Sequence, residues 1–359
     1  MQPKAYDYLG HLLKHIDGLE RVFSGIPVWP RQIYFCLPGD HKRACNFHCA
    51  FCAGQLGNIE LGHWEDTALD LMDNMAGAIP YHMYSGYNSE NLLNPYLLKF
   101  IEKTKQYGNC YGLKTNGSLL LERERQEGFM TALVAASDSP EDFISVSLDA
   151  GFASSHAKIK RVPDSMFAAV CDGVSKLCEI RGDSNKPAVR LSYLLCPIND
   201  SVDEIRKAIR FAEVAGVDSI RFSQPHPVYG LSVKAEEEWR KEMVSENQRY
   251  EKLFEPLQTD KKPFVFYAGP SNPKCYRQCI FGYYQIALAP DGYLYRCICG
   301  SNGRYPSLRL GKITSDLGKF ARLILSNQDP SFNPQECFRQ GVYCCRAGIA
   351  VNEAWQARQ

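Results

Sequence analysis

Between about residue 30 and residue 230, short β-branched and aromatic runs alternate with longer helical stretches, a rhythm that commits a chain to a parallel sheet with crossover helices. The expected strands are 31–36, 78–84, 108–114, 143–148, 189–195 and 219–223. Helices fit between them at 95–107, 121–136, 164–181 and 202–215. The last is led by Asp200 and Ser201 as N-cap candidates and stopped at Gly216. Six such units occupy about 200 residues, where a complete eightfold barrel takes about 250. The expected fold is therefore α/β, a partial (β/α)6 TIM-like barrel.

After Gly230 the rhythm stops. A charged helix from about 235 to 254 leads into a cysteine-rich stretch, read as a small α+β domain. The expected division is a helical extension over 1–30, the barrel over 31–232 and the cysteine-rich domain over 233–359. Within the last, 283–289, the turn Pro290-Asp291-Gly292 and 293–297 read as a β-hairpin, because proline presets the turn and glycine tolerates positive φ.

Charge and hydropathy exclude several functions. Forty-one Lys and Arg balance 40 Asp and Glu in 359 residues, leaving no electrostatic footprint for a nucleic acid or an anionic membrane. No apolar run approaches the roughly 18 residues of a membrane span. Residues 1–23 mix Lys4, Asp7, Lys14, Asp17, Glu20 and Arg21 with their apolar positions, unlike a secretory signal. The expected location is the cytoplasm.

Fifteen cysteines are anomalous in a chain read as having no export signal, and an odd total cannot be consumed by a closed set of disulfides. Metal or redox chemistry is the better reading. Cys45, Cys49 and Cys52 fall within eight residues directly after the first expected strand, at the barrel end where active sites form. Three thiolates on one loop suit three irons of a 4Fe-4S cube, the fourth iron staying open to an external ligand. The alternative is zinc held by Cys49 and Cys52 with His48 or His41, although no second ligand pair follows at finger-like distance.

The Cys-x3-Cys-x2-Cys spacing, with Phe51 before the last cysteine, resembles the signature of the radical S-adenosylmethionine (radical SAM) superfamily. Further segments resemble the same family in chain order. Ser85-Gly86, followed by Glu90, is similar to the Gly-Gly-Glu segment that receives the methionine amino group; Ser85 replaces the first glycine and Glu90 sits late, so only the Ser85 and Gly86 backbone is carried over. Thr115-Asn116-Gly117 resembles the family's Thr-Asn-Gly turn. Ser147, closing the fourth strand, matches the serine that contacts the ribose. Arg161 matches the basic residue for the S-adenosylmethionine carboxylate, a role a bidentate guanidinium suits, with His156, Lys158 and Lys160 competing nearby. The resemblance implies a reduced cluster that cleaves S-adenosylmethionine, a radical that takes a hydrogen atom from an unactivated carbon, and a low-potential electron donor such as flavodoxin or ferredoxin.

Cys279, Gly292 and Cys297, followed by Cys337 and Cys344, resemble the auxiliary-cluster extension of these enzymes in its twitch or SPASM form. The four thiols Cys279, Cys297, Cys337 and Cys344 would hold one auxiliary 4Fe-4S cluster. Cys275, Cys299 and Cys345 remain outside that set. The alternative is a zinc ribbon built from the same thiols.

About thirty residues precede the first strand, too few for a separate peptide-recognition domain. That favours a small-molecule substrate such as a sugar, aminocyclitol or natural-product intermediate, undergoing epimerisation or dehydrogenation. A peptide-modifying enzyme is the alternative within the family, and a non-enzymatic iron-sulfur or zinc protein the alternative outside it. Cys196, at the end of the fifth strand, is the candidate hydrogen donor for an epimerisation, and also a plausible small core residue. His226, at the end of the sixth, is the candidate base for an oxidation, unless it only shapes its Pro-flanked loop.

Overall fold

In the computed structural model the described residues are 12–13, 15–52, 60–86, 89–225, 233–269, 276, 278–301, 305–328, 332–339 and 344–358. Its strands, in chain order, are β1 (Gln32–Phe35), β2 (Tyr81–Tyr84), β3 (Cys110–Thr115), β4 (Phe143–Ser147), β5 (Ala188–Leu194), β6 (Ser219–Ser223), β7 (Phe264–Tyr267), β8 (Gln285–Leu288), β9 (Tyr293–Tyr295) and β10 (Arg309–Lys312). The helices are α1 (Glu65–Met75), α2 (Leu97–Gln106), α3 (Leu120–Glu127), α4 (Phe129–Ala136), α5 (Ala153–Lys160), α6 (Ser165–Arg181), α7 (Val202–Ala215), α8 (Val233–Phe254), α9 (Phe281–Tyr284), α10 (Leu317–Asn327), α11 (Gln335–Arg339) and α12 (Arg346–Gln356). The fold class is the expected one, a mostly parallel α/β sheet that does not close.

The chain forms two compact units. One takes residues 1–44, 53–111 and 272–359; the other takes 45–52 and 112–271. In the first, β8 pairs parallel with β1 and β1 with β2, while β9 and β10 extend the β8 side antiparallel. In the second, β3 from Gly112 onward, β4, β5, β6 and β7 pair parallel in that order.

All six expected strands form, and the structure adds to them. β7 is a further parallel strand beyond residue 232, paired with β6. The expected hairpin begins later than its sequence suggests. Residues 281–284 form a helical turn, Tyr284 N–H bonding to Ile280 O at 3.0 Å, and β8 starts only at Gln285. The helix expected over 121–136 is two, broken at Gly128. α7 is capped as expected by Ser201, whose hydroxyl accepts from Glu204 N–H at 3.2 Å; Asp200, the other candidate, instead pairs with Arg249.

Side-chain alternation in the second unit creates a surface for chemistry. On β4 and β5, Ile144, Val146, Val189, Leu191 and Tyr193 are fully buried on one face. The opposite face is half-buried and polar: Lys114, Ser145 and Arg190 align in one row, and Ser147, Ser192 and Arg221 in the next. Arg221 Nη2 donates to Ser192 Oγ at 3.1 Å, and the Arg190 guanidinium lies 4.3 Å from the Phe143 ring centroid.

In the first unit, Leu12, Ile16, Leu19 and Val22 pack with Ile280, Phe281, Tyr283, Tyr284, Val351 and Trp355 into one apolar cluster. Phe23 stacks on Trp355 at 5.0 Å. The turn before β9 depends on Gly292, which has φ 78° and whose added Cβ would stand 3.0 Å from Trp64 Cδ1. Gly292→Ala should cost roughly 1–3 kcal/mol through strain at positive φ and crowding. Urea denaturation of the iron-free protein checks this; a midpoint equal to that of the parent, at unchanged slope, would refute it.

Candidate functional site

The loop carrying Cys45, Cys49 and Cys52 belongs to the second unit and is fastened there at both ends. Asn46 Nδ2 donates to Ser118 Oγ at 2.9 Å, and Asn116 Nδ2 donates to Asn46 Oδ1 at 2.8 Å, so the Thr115-Asn116-Gly117 turn after β3 grips the start of the loop. Farther on, His48 N–H bonds to Lys160 O at 3.2 Å and Ala50 N–H to Ile159 O at 2.8 Å, seating the loop on the last turn of α5. The three thiols stay partly accessible while Phe47 is buried between them.

One charge dominates this place. Lys160 is 2% exposed, ion-paired with Asp149, which is 1% exposed. Its ammonium lies 5.5 Å from the centre of the Phe51 ring. Burial opposes the charge on Lys160, but Asp149 and the thiols of Cys49 and Cys45 hold its pKa above the usual lysine range. The Cys49 thiol is pushed up to about 11 by burial, against the pull of Lys160. Asp149, with φ 53°, also accepts from Leu194 N–H at 2.6 Å. Its carbonyl receives Asn199 Nδ2 at 2.7 Å, tying the ends of β4 and β5 together.

Lys160 is buried, its charge coupled to the Cys49 and Cys45 thiols. Arg161 sits exposed at the C-cap of α5, with φ 56°, and Lys158 is exposed. His156 is fully buried, its ring between Phe47 at 6.1 Å and Phe167 at 5.5 Å, and neither ring nitrogen has a hydrogen-bond partner among the described residues. Burial, then Lys160, pull its pKa down to about 4. Ser147 ends β4 on the polar face, paired in register with Ser192. Cys196 is half-buried; its N–H bonds to Asn199 Oδ1 at 2.7 Å, and burial raises its thiol pKa. His226 lies outside the described residues.

In the first unit, Ser85 and Gly86 follow β2. Cys36 Sγ donates to Ser85 O at 2.9 Å, and a Cβ on Gly86 would stand 2.7 Å from Cys36 Cβ, a contact only glycine avoids. Glu90 is buried, and its carboxylate caps Leu92 N–H at 3.0 Å.

The same unit holds a thiol-lined cavity of about 40 Å³. Cys279, Cys297, Cys337 and Cys344 all line it, together with Cys299, which the sequence reading left outside the set. Phe281, Leu308 and Phe332 make the rest of the wall apolar, and Arg296 stacks over Phe332 at 3.9 Å. Burial raises the Cys344 thiol well above its ordinary value, and Cys279, Cys297, Cys345 and Cys337 raise it further, as clustered acids do. Every described cysteine is a free thiol. Among the described residues no three Cys, His, Asp or Glu converge tightly enough to hold a single metal ion. Four thiols lining one cavity are the number of donors that a 4Fe-4S cube or a tetrahedral zinc takes.

No protein-family model matches the sequence, and no curated protein matches it. Solved structures do. SuiB of Streptococcus suis superposes with a TM-score of 0.56 at 13% identity, over 86% of this chain and 68% of that one. SuiB bound to S-adenosylmethionine gives 0.55 at 15% identity, over 88% and 69%. SuiB bound to its precursor peptide SuiA gives 0.48 at 15% identity, over 79% and 63%. The chain therefore has the fold of the radical S-adenosylmethionine enzymes. No helix among the described residues is long and apolar enough to cross a membrane.

Two outcomes follow from the buried charges. Lys160→Met leaves Asp149 uncompensated and should cost about 3–5 kcal/mol in urea denaturation of the iron-free protein; a loss under about 1 kcal/mol would show that the pair does not hold the loop. His156 stays neutral when folded while the unfolded chain takes up a proton below its ordinary pKa of 6.5. Stability present above pH 6.5 should therefore fall as the pH drops towards about 4, by up to roughly 3 kcal/mol. His156→Phe should flatten that part of the pH–stability curve, and an unchanged slope would count against it.

Proposed function

We propose that this protein is a radical S-adenosylmethionine enzyme acting on a small polar molecule. The observation that carries the reading is the placement of its three-cysteine loop. The loop lies beyond the C-terminal ends of β3 and β4, gripped by Asn116 on one side and seated on Lys160 on the other. Parallel α/β sheets build their active sites at those ends.

In this reading Cys45, Cys49 and Cys52 hold a 4Fe-4S cluster with one iron open to S-adenosylmethionine. When bound and reduced, the pair supplies an oxidant able to take a hydrogen atom from an unactivated carbon. The chain's own residues bind, orient and shelter. Lys160 keeps a positive charge beside the thiolates, and Phe51 covers its ammonium. Ser147 is the proposed ribose contact, Arg161 the proposed carboxylate partner, and the backbone at Ser85 and Gly86 the proposed partner of the amino group. Lys160, buried where Arg161 is exposed, competes for the carboxylate role.

The polar face of β3 to β6 supports a hydroxyl-rich substrate, since Ser145, Ser147 and Ser192 offer hydrogen bonds that an apolar substrate would leave unused. Cys196 remains the candidate hydrogen donor for an epimerisation, and His226 the candidate base for a dehydrogenation. A peptide substrate is the second reading, since SuiB is a protein solved with its precursor peptide. Cys279, Cys297, Cys337 and Cys344 are proposed to hold an auxiliary 4Fe-4S centre, with Cys299 a fifth thiol at the same cavity. The proposed reductant is a low-potential protein such as flavodoxin or ferredoxin, and the proposed location is the cytoplasm.

Protein purified without air, reconstituted with iron and sulfide, reduced and given S-adenosylmethionine should release 5′-deoxyadenosine and hold about eight irons per chain. Replacing Cys45, Cys49 and Cys52 together by Ala should abolish the release and leave about four irons. Zinc in place of iron with no cleavage would sink the reading and favour a non-enzymatic metal protein.

A further inference from the structure

The thiol cavity has two buried amides beside it, each with its N–H end turned to a sulfur. Asn352, on α12, is 0% exposed. Its Oδ1 accepts from Ile280 N–H at 2.9 Å and from Phe281 N–H at 3.2 Å. Those two bonds fix which end of the amide is oxygen, because a backbone N–H can only donate. The Nδ2 end must therefore face the other way, and it meets Cys279 Sγ at 3.7 Å. Gln285 opens β8 and is also 0% exposed, in a strand whose other residues are Ile286, Ala287 and Leu288. Its Nε2 lies 3.2 Å from Cys297 Sγ, while its Oε1 has no hydrogen-bond partner among the described residues. Burying an amide with one end unpartnered costs free energy that a leucine would not. Among the described residues the sulfur is the one polar group this side chain meets.

Backbone donors add to the pattern. Cys299 N–H points at Cys297 Sγ and Cys345 N–H at Cys299 Sγ, each at 3.3 Å. A thiolate bound to iron is an acceptor, and an N–H directed at it favours the more electron-rich, reduced state of the centre.

We propose that Asn352 and Gln285 are positioning residues for the cavity's iron-sulfur centre, their amide N–H groups donating to Cys279 and Cys297 and raising its reduction potential. The inference rests on the auxiliary-centre reading given above.

The test uses the full chain with Cys45, Cys49 and Cys52 replaced by Ala, reconstituted so that only the cavity's centre titrates, and followed by potentiometric electron paramagnetic resonance. Gln285→Met removes the N–H without adding charge. Asn352→Asp removes the other N–H and keeps an oxygen for Ile280 and Phe281. With iron per chain unchanged, the ratio of reduced to oxidised centre at the parent's midpoint should fall roughly two- to tenfold in Gln285→Met, the worth of one hydrogen bond, and by at least as much in Asn352→Asp, which also brings a carboxylate beside the sulfur. An unchanged ratio in Gln285→Met overturns the proposal. Should Asn352→Asp fail to load, Gln285→Met decides alone; failure of both to load, while the parent loads, shows that the amides only hold the fold and also overturns it. A parent that takes up zinc or no iron at all refutes the auxiliary centre instead.

Discussion

An ammonium held out of water organises the second unit. Lys160 has no solvent to stabilise its charge, so it depends on Asp149, and Asp149 in turn is held by the backbone of Leu194 and by Asn199. The same short stretch of α5 presents the carbonyls of Ile159 and Lys160 to the cysteine loop. A buried ion pair adds little net stability over an apolar pair of the same shape, but removing one partner is expensive. Its value here lies in direction: a single positive charge is fixed beside thiols whose ionised form it favours, at the ends of the parallel strands.

The first unit treats its thiols differently. There the cavity lies against the apolar cluster built from the N-terminal segment, α9 and α12, with Cys279, Cys297 and Cys345 packed at its border. One cation, Arg296, lines this cavity among the described residues, and its charge favours the ionised Cys279 thiol. The groups directed at the sulfurs are amides and backbone N–H groups, which orient sulfur without adding net charge. A buried ammonium at one set of thiols, and neutral donors beside a guanidinium at the other, are two ways in which a protein tunes metal-bound sulfur.

Much of this was legible in the sequence because it depends on local pattern. The alternation of apolar runs located all six expected strands, and Ser201 and Gly216 bounded α7 as their side chains and backbone dictate. The cysteine spacing singled out the loop, and four of the five thiols at the cavity were named from the chain alone. What escaped notice was non-local. β7 follows a long charged helix and is only four residues, too short to announce itself. The start of β8 shifted because Asn352, more than seventy residues later in the chain, holds Ile280 and Phe281 in a helical turn.

The sequence by itself determined the parallel α/β class, the thiol-rich regions and the chemistry those thiols can support, because periodicity and spacing act between neighbours in the chain. Only the tertiary structure decided that Lys160 is buried beside the loop while the adjacent Arg161 is exposed. It also decided that Cys299 joins the cavity and that two buried amides face its sulfurs. Those choices turn on burial, and whether a side chain is withdrawn from water depends on which distant segments pack over it.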